Sequence, residues 1–182
     1  ITEAVLQELD GMLIAGGSKW HVVIDGDKAR IESRVDQTTT GAYQQLINST
    51  EDYALLLKTS WEYCYGRQPS PSETYTYAIR AVEAASWRII TPNNQKATLG
   101  TLINDLKVQS QASKIIFAFN DNKENDSVGT VVSLMKRLWE SQTDRHATGS
   151  YIHPSQIEAE AAVHMAITLC HFFTKGLIIR KS

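Results

Sequence analysis

The sequence predicts a mainly α-helical bundle with a small β-hairpin near its N-terminus, and three observations carry that prediction. From Thr38 almost to the end, apolar residues recur at helical spacing. Two Ser-x-x-Glu starts, at Ser70 and Ser155, mark helix N-termini. A single Asp-Gly pair, Asp25-Gly26, separates two short segments of strand character. The chain has 182 residues, 42% of them hydrophobic, enough to bury a sizeable core. No apolar run approaches the ~20 residues that span a bilayer, so no membrane association is expected. A formal net charge of −2 argues against broad electrostatic binding to duplex DNA. The chain opens on Ile1 without a Met, as a trimmed chain or a fragment of a longer one would. Cys64 and Cys170 each sit among apolar neighbours in a helical pattern, which predicts buried free thiols in a reducing, cytoplasmic compartment.

Taken in order, Val5, Leu6, Leu9, Met12 and Leu13 place a helix over Thr2 to Ala15, stopped by Gly16-Gly17. Residues 20 to 35 read as strand, turn, strand, and are the one stretch with β character. A short helix follows over Thr40 to Ile47, and another over Glu51 to Tyr65 with Leu56, Leu57, Ser60, Trp61 and Cys64 on one face. Ser70-Pro71-Ser72-Glu73 reads as a capping box with Pro at the first helical position, opening a helix to about Ile90. Its buried stripe is Tyr75, Ala78, Ile79, Val82, Ala85 and Ile89. Ala97 to Val108 and Val128 to Glu140 are helical by spacing; the apolar run Lys114 to Phe119 is assigned to helix by its neighbours, and Asn120 to Asp126 to a loop. Ser155-Gln156-Ile157-Glu158 opens the last helix, reaching about Leu177 with Ala159, Ala162, Val163, Ala166 and Cys170 inward. Residues 1–69 form a helix, hairpin and helices that pack on a helical domain of residues 70–182, in what reads as one compact unit.

Chemistry concentrates at Gln142-Thr143-Asp144-Arg145-His146, between two long helices. A His titrates near neutral pH, and Arg offers a fixed fork of donors matched to phosphate oxygens. With Asp144 orienting the ring, His146 and Arg145 are the candidate catalytic residues for metal-independent RNA cleavage, in which the ribose 2′-hydroxyl attacks the adjacent phosphate. The plain alternative is a helix C-terminus dressed with cations that complement its dipole. Arg137, Gln142 and His153 are candidate nucleic-acid-binding residues beside them. On the last helix, Glu160, His164 and His171 share a polar stripe, but no Cys or Asp completes a zinc set, so no metal or other cofactor is expected. Trp61, Tyr63, Tyr65, Tyr75, Tyr77 and Trp87 flank Arg67, Arg80 and Arg88. Such a mixture can bind single strands by stacking and phosphate pairing, although the spacing puts most of these rings on core stripes.

The Ala97-Thr98-Leu99-Gly100 segment, the Trp-containing helix running into Asp144-Arg145-His146, and the Ala-rich last helix together resemble the C-terminal domain of bacterial abortive-infection proteins, within the HEPN superfamily. The resemblance spans roughly Ser70 to Leu177. It implies a helical bundle, frequent homodimerisation, a role in phage defence or toxin–antitoxin systems and, in active members, RNA cleavage without metal. The family's motif places four to six residues between Arg and His. Here Arg145 is adjacent to His146, and Arg137 precedes it with eight residues between. A defence-associated endoribonuclease acting on single-stranded RNA, and a non-catalytic helical module that binds nucleic acid or protein, are therefore both expectations.

Overall fold

The computed structural model describes residues 2–118, 127–140 and 153–181; the loop expected over Asn120 to Asp126 lies outside them. Its elements run α1 (Glu3–Ala15), β1 (Trp20–Asp25), β2 (Lys28–Ser33), α2 (Gln37–Ile47), α3 (Asp52–Tyr65), α4 (Pro71–Ile90), α5 (Leu99–Gln111), β3 (Ile115–Phe117), α6 (Ser127–Glu140), α7 (Gln156–Thr174) and β4 (Ile178–Arg180). The chain is mainly helical with an N-terminal hairpin, as its periodicity predicts.

Helix α4 is the axis of the bundle. It packs most extensively against α3 and α7 and also touches α5, while α5 in turn packs against α6. The buried stripe extends further around α4 than apolar spacing alone suggests, because Thr74, Ala81 and Ser86 are also inside. The buried Ser and Thr hydroxyls are satisfied: Ser60 donates to the Thr74 carbonyl, Thr74 to that of Ser70, and Ser86 to that of Val82. The first of these bonds ties α3 to α4 at small cost, since a buried hydroxyl is expensive only when unpaired. On α7, Ala159, Ala162 and Ala166 are fully buried, and such small side chains allow close approach of the neighbouring helices.

The hairpin forms where the Asp-Gly pair predicts it. Asp25 faces Lys28, which leaves Gly26 and Asp27 as a two-residue turn. Gly26 has φ +62°, the positive value that a type II′ turn requires of its first central residue. Helix α1 lies against β1 and buries no residue completely; Val5, Met12 and Ile14 of its apolar series are more than half exposed.

Three expectations are corrected. Ile115–Phe117 is a strand, paired antiparallel with Ile178–Arg180, rather than helix. The run is too short to show a period, and its partner lies some 60 residues away by pairing of Ile115 with Arg180, Ile116 with Ile179 and Phe117 with Ile178, a register that no local pattern encodes. For the same reason α7 ends at Thr174 rather than near Leu177: Gly176, at φ +71°, turns the chain into β4. The box at Ser70 does not close either. Its backbone N–H donates to the Tyr63 carbonyl, so Glu73 has no N-cap donor to receive. The box at Ser155 is complete, and the Ser155 donors hold the Glu158 carboxyl below the usual range.

Gly100 lies where α5 meets α6. A Cβ built there would stand 2.9 Å from Cζ2 of Trp139. Gly100→Ala is therefore expected to lower stability in urea denaturation: displacing the ring costs about 1–3 kcal/mol, more than the ~1 kcal/mol or less that Ala gains over Gly in a helix. A variant as stable as the parent would show that the indole moves aside freely.

Candidate nucleic-acid interface

Gln142, Asp144, Arg145 and His146 lie outside the described residues. Two of their predicted neighbours are described. Arg137 is exposed in the last turn of α6, and His153 is exposed two residues before the Ser155 cap of α7. The start of α7 has a defined position, because Gln156 Nε2 donates to the Cys64 carbonyl at 2.8 Å. That bond sets the N-terminus of α7 beside the C-terminus of α3, next to Gly66 and Arg67.

The polar stripe of α7 is used structurally. His164 Nε2 is 3.0 Å from the Tyr65 hydroxyl, and Glu160 accepts from Gln156. His171 Nε2 is buried without a hydrogen-bond partner. Burial pushes the Cys64 thiol up to about 12, and that of Cys170 well above its ordinary value, so both are neutral, buried thiols rather than nucleophiles.

The six aromatic residues divide evenly. Trp61, Tyr65 and Tyr75 are core, with Trp61 stacked on Tyr43 at 4.1 Å between centroids. Tyr63, Tyr77 and Trp87 are only half-buried. Tyr63 of α3 and Tyr77 of α4 stack across the helix pair, with centroids 5.7 Å apart and planes 17° apart. The exposed Arg80 guanidinium stands over Tyr77 at 5.4 Å, and that of Arg88, which also pairs with Glu51, over Trp87 at 5.3 Å. Tyr77, Arg80, Ala84 and Trp87 follow helical spacing on the side of α4 opposite Ala78, Val82 and Ala85. They form a strip about 15 Å long, from ten residues at ~1.5 Å each. Rings and guanidinium groups alternating along one exposed helix face suit unpaired bases, whose π-faces stack on both, and the phosphates between them.

A second feature adjoins the α3 end of this strip. Glu32 of β2 is 2% exposed, and its carboxylate accepts from Trp61 Nε1 at 2.9 Å and from Arg30 Nε. Arg30 also pairs with Asp25 and Glu62, and Lys58 pairs with Asp25. Lys58 is the main reason the Asp25 carboxyl sits below its usual range. Above this network lies a cleft of about 780 Å³, with Lys28 and Arg67 among its lining cations. Since carboxylates already hold Arg30 and Lys58, Lys28 and Arg67 carry its outward positive charge. Gly66 bridges to Glu32 and joins the hairpin to the end of α3, beside Arg67 at the edge of the cleft.

Sequence spacing identified this aromatic and basic mixture but put most of its rings inside. The missed signal is that Tyr77, Arg80 and Trp87 share the face of α4 that its apolar stripe leaves open. The chain matches no family model, no curated protein and no solved structure.

Proposed function

We propose that this chain is an RNA-directed helical domain that holds single-stranded RNA along the exposed face of α4. The observation that carries the reading is the Tyr63–Tyr77 stack with Arg80 above it, continued by Trp87 and Arg88. Stacking on such a platform is tolerant of sequence, and a −2 chain with a local cationic strip suits a single strand better than a duplex. The same chemistry agrees with the defence-associated role that resemblance to abortive-infection domains implies. In the catalytic form of this reading, His146 moves the proton of the attacking 2′-hydroxyl, Arg145 stabilises the phosphoryl charge and Asp144 orients the imidazole.

The test is a fluorescence-anisotropy titration with a labelled single-stranded RNA and a duplex DNA of equal length. Single-stranded RNA is expected to bind at least tenfold more tightly; equal affinities would overturn the strip as a stacking surface. Incubating the same RNA in EDTA with wild type and with His146→Ala tests the catalytic form. Cleavage by wild type alone is expected, and equal cleavage by both, or none by either, would remove it.

A further inference from the structure

Beneath the strip, between α3, α4 and the segment leading into α5, lies a cavity of about 400 Å³. That volume lies within the range of small-ligand sites and exceeds what one planar heterocycle needs. Its apolar lining includes Leu55, Leu56 and Trp87, and its charged lining is Asp52, Arg80, Glu83 and Lys96. Leu55 is 70% exposed, a large apolar side chain standing open at the mouth.

Glu83 is the unusual member. It lies on α4 between Arg80 and Trp87, and its Oε1 accepts the Leu99 backbone N–H at 2.6 Å, at the first turn of α5. That bond fixes the carboxylate rigidly within the cavity lining. Burial raises the Glu83 carboxyl above its ordinary range, opposed by the Leu99 bond and by the charge of Arg80. A carboxylate has about four acceptor positions, and the Leu99 N–H uses one. The cavity thus presents a guanidinium donor beside an oriented carboxylate acceptor, with an indole and two leucines as walls.

Among the nucleobases, guanine uses that pair most fully, because it alone sets two adjacent donor groups for the carboxylate beside one acceptor for the guanidinium, where the others offer a single donor group. Guanine carries O6 as an acceptor followed by N1–H and the N2 amino group as adjacent donors. Adenine and cytosine carry an acceptor ring nitrogen where guanine has N1–H, and uracil carries carbonyl oxygens on both sides of its single N–H. We propose that this cavity binds a guanine base, with Arg80 donating to O6 and Glu83 accepting from N1–H and N2–H. Trp87, Leu55 and Leu56 cover its faces, and Lys96 meets a phosphate at the mouth. This inference rests on the RNA-binding reading for its source of guanine, but the chemistry is the same for a free guanine nucleotide. A site built to pair buried polar groups rejects bases that leave them unpaired.

The experiment compares single-stranded oligoribonucleotides of equal length, one adenosine-only and one with guanosines interspersed, together with guanosine monophosphate. Each is titrated against wild type and Glu83→Gln, whose amide oxygen can still accept from Leu99 and so keeps the helix cap. Unchanged thermal melting confirms that the variant is folded. The guanosine oligomer is expected to bind wild type about tenfold or more tightly than the adenosine one. Glu83→Gln is expected to abolish that preference and leave adenosine-oligomer binding intact. Equal binding of the two oligomers by wild type would overturn the guanine pocket while the strip stands. Binding of guanosine monophosphate alone, lost in Glu83→Gln, would uphold the pocket for free nucleotide and overturn the RNA reading. Binding of neither oligomer nor monophosphate would overturn both.

Discussion

Glu32→Ala is expected to destabilise the fold by about 1–3 kcal/mol, the cost of leaving the buried indole N–H of Trp61 without an acceptor. The carboxylate is 2% exposed and accepts from both Trp61 Nε1 and Arg30 Nε. Removing it leaves the indole N–H without an acceptor inside the core and a half-buried guanidinium dependent on Asp25 and Glu62 alone. The loss propagates, because Trp61 stacks on Tyr43 and tilts against Tyr65, so one side chain links the hairpin to α2 and α3. Urea denaturation followed by tryptophan fluorescence measures the change. The double variant Glu32→Gln/Arg30→Met removes both charges in a similar volume, keeps an amide oxygen to accept from the indole, and is expected to recover most of the stability. If Glu32→Ala costs less than about 1 kcal/mol, in the range of surface ion pairs, the network is not what fastens the hairpin.

Tyr77→Ala is expected to weaken single-stranded RNA binding by about 5- to 150-fold, from ~1–3 kcal/mol of base stacking per ring. Tyr77 is the appropriate probe because it is half-buried, stacked on Tyr63 and covered by Arg80, so truncation removes the platform without opening the core. Tyr77→Phe keeps the ring and is expected to bind nearly as wild type. Lys96→Ala is expected to reduce the salt dependence as well as the affinity. The slope of log K against log salt should fall by about 0.7 when one phosphate is no longer neutralised. A Tyr77→Ala protein that binds RNA as tightly as wild type would place the RNA elsewhere.

What the sequence made legible, and what it hid, follows from the range of the interactions involved. Helices α1 to α7 were predictable because 3.6-residue periodicity and caps such as Ser155 and Glu158 are local. The hairpin was predictable because Gly26 specifies its turn. Strands β3 and β4 were hidden, since each is three residues long and is defined by the other. The box at Ser70 looked complete in the sequence, yet its donor goes to Tyr63, seven residues earlier. At the candidate site, the composition of the aromatic and basic group was visible, but which rings face outward depends on how α3 and α4 meet. Glu83 had no signature at all: its significance comes from Leu99, across a turn and 16 residues away. The same holds for Glu32, an ordinary strand glutamate until Trp61 is packed beneath it.

The central claim, that RNA lies along α4, is tested most directly by photocrosslinking a 4-thiouridine-substituted single-stranded RNA to the protein and mapping the adducts by mass spectrometry. Adducts are expected on Tyr63, Tyr77 and Trp87, and they disappear from Tyr77 peptides when unlabelled RNA competes. Adducts confined to other surfaces, with peptides spanning α3 and α4 unmodified, would contradict it.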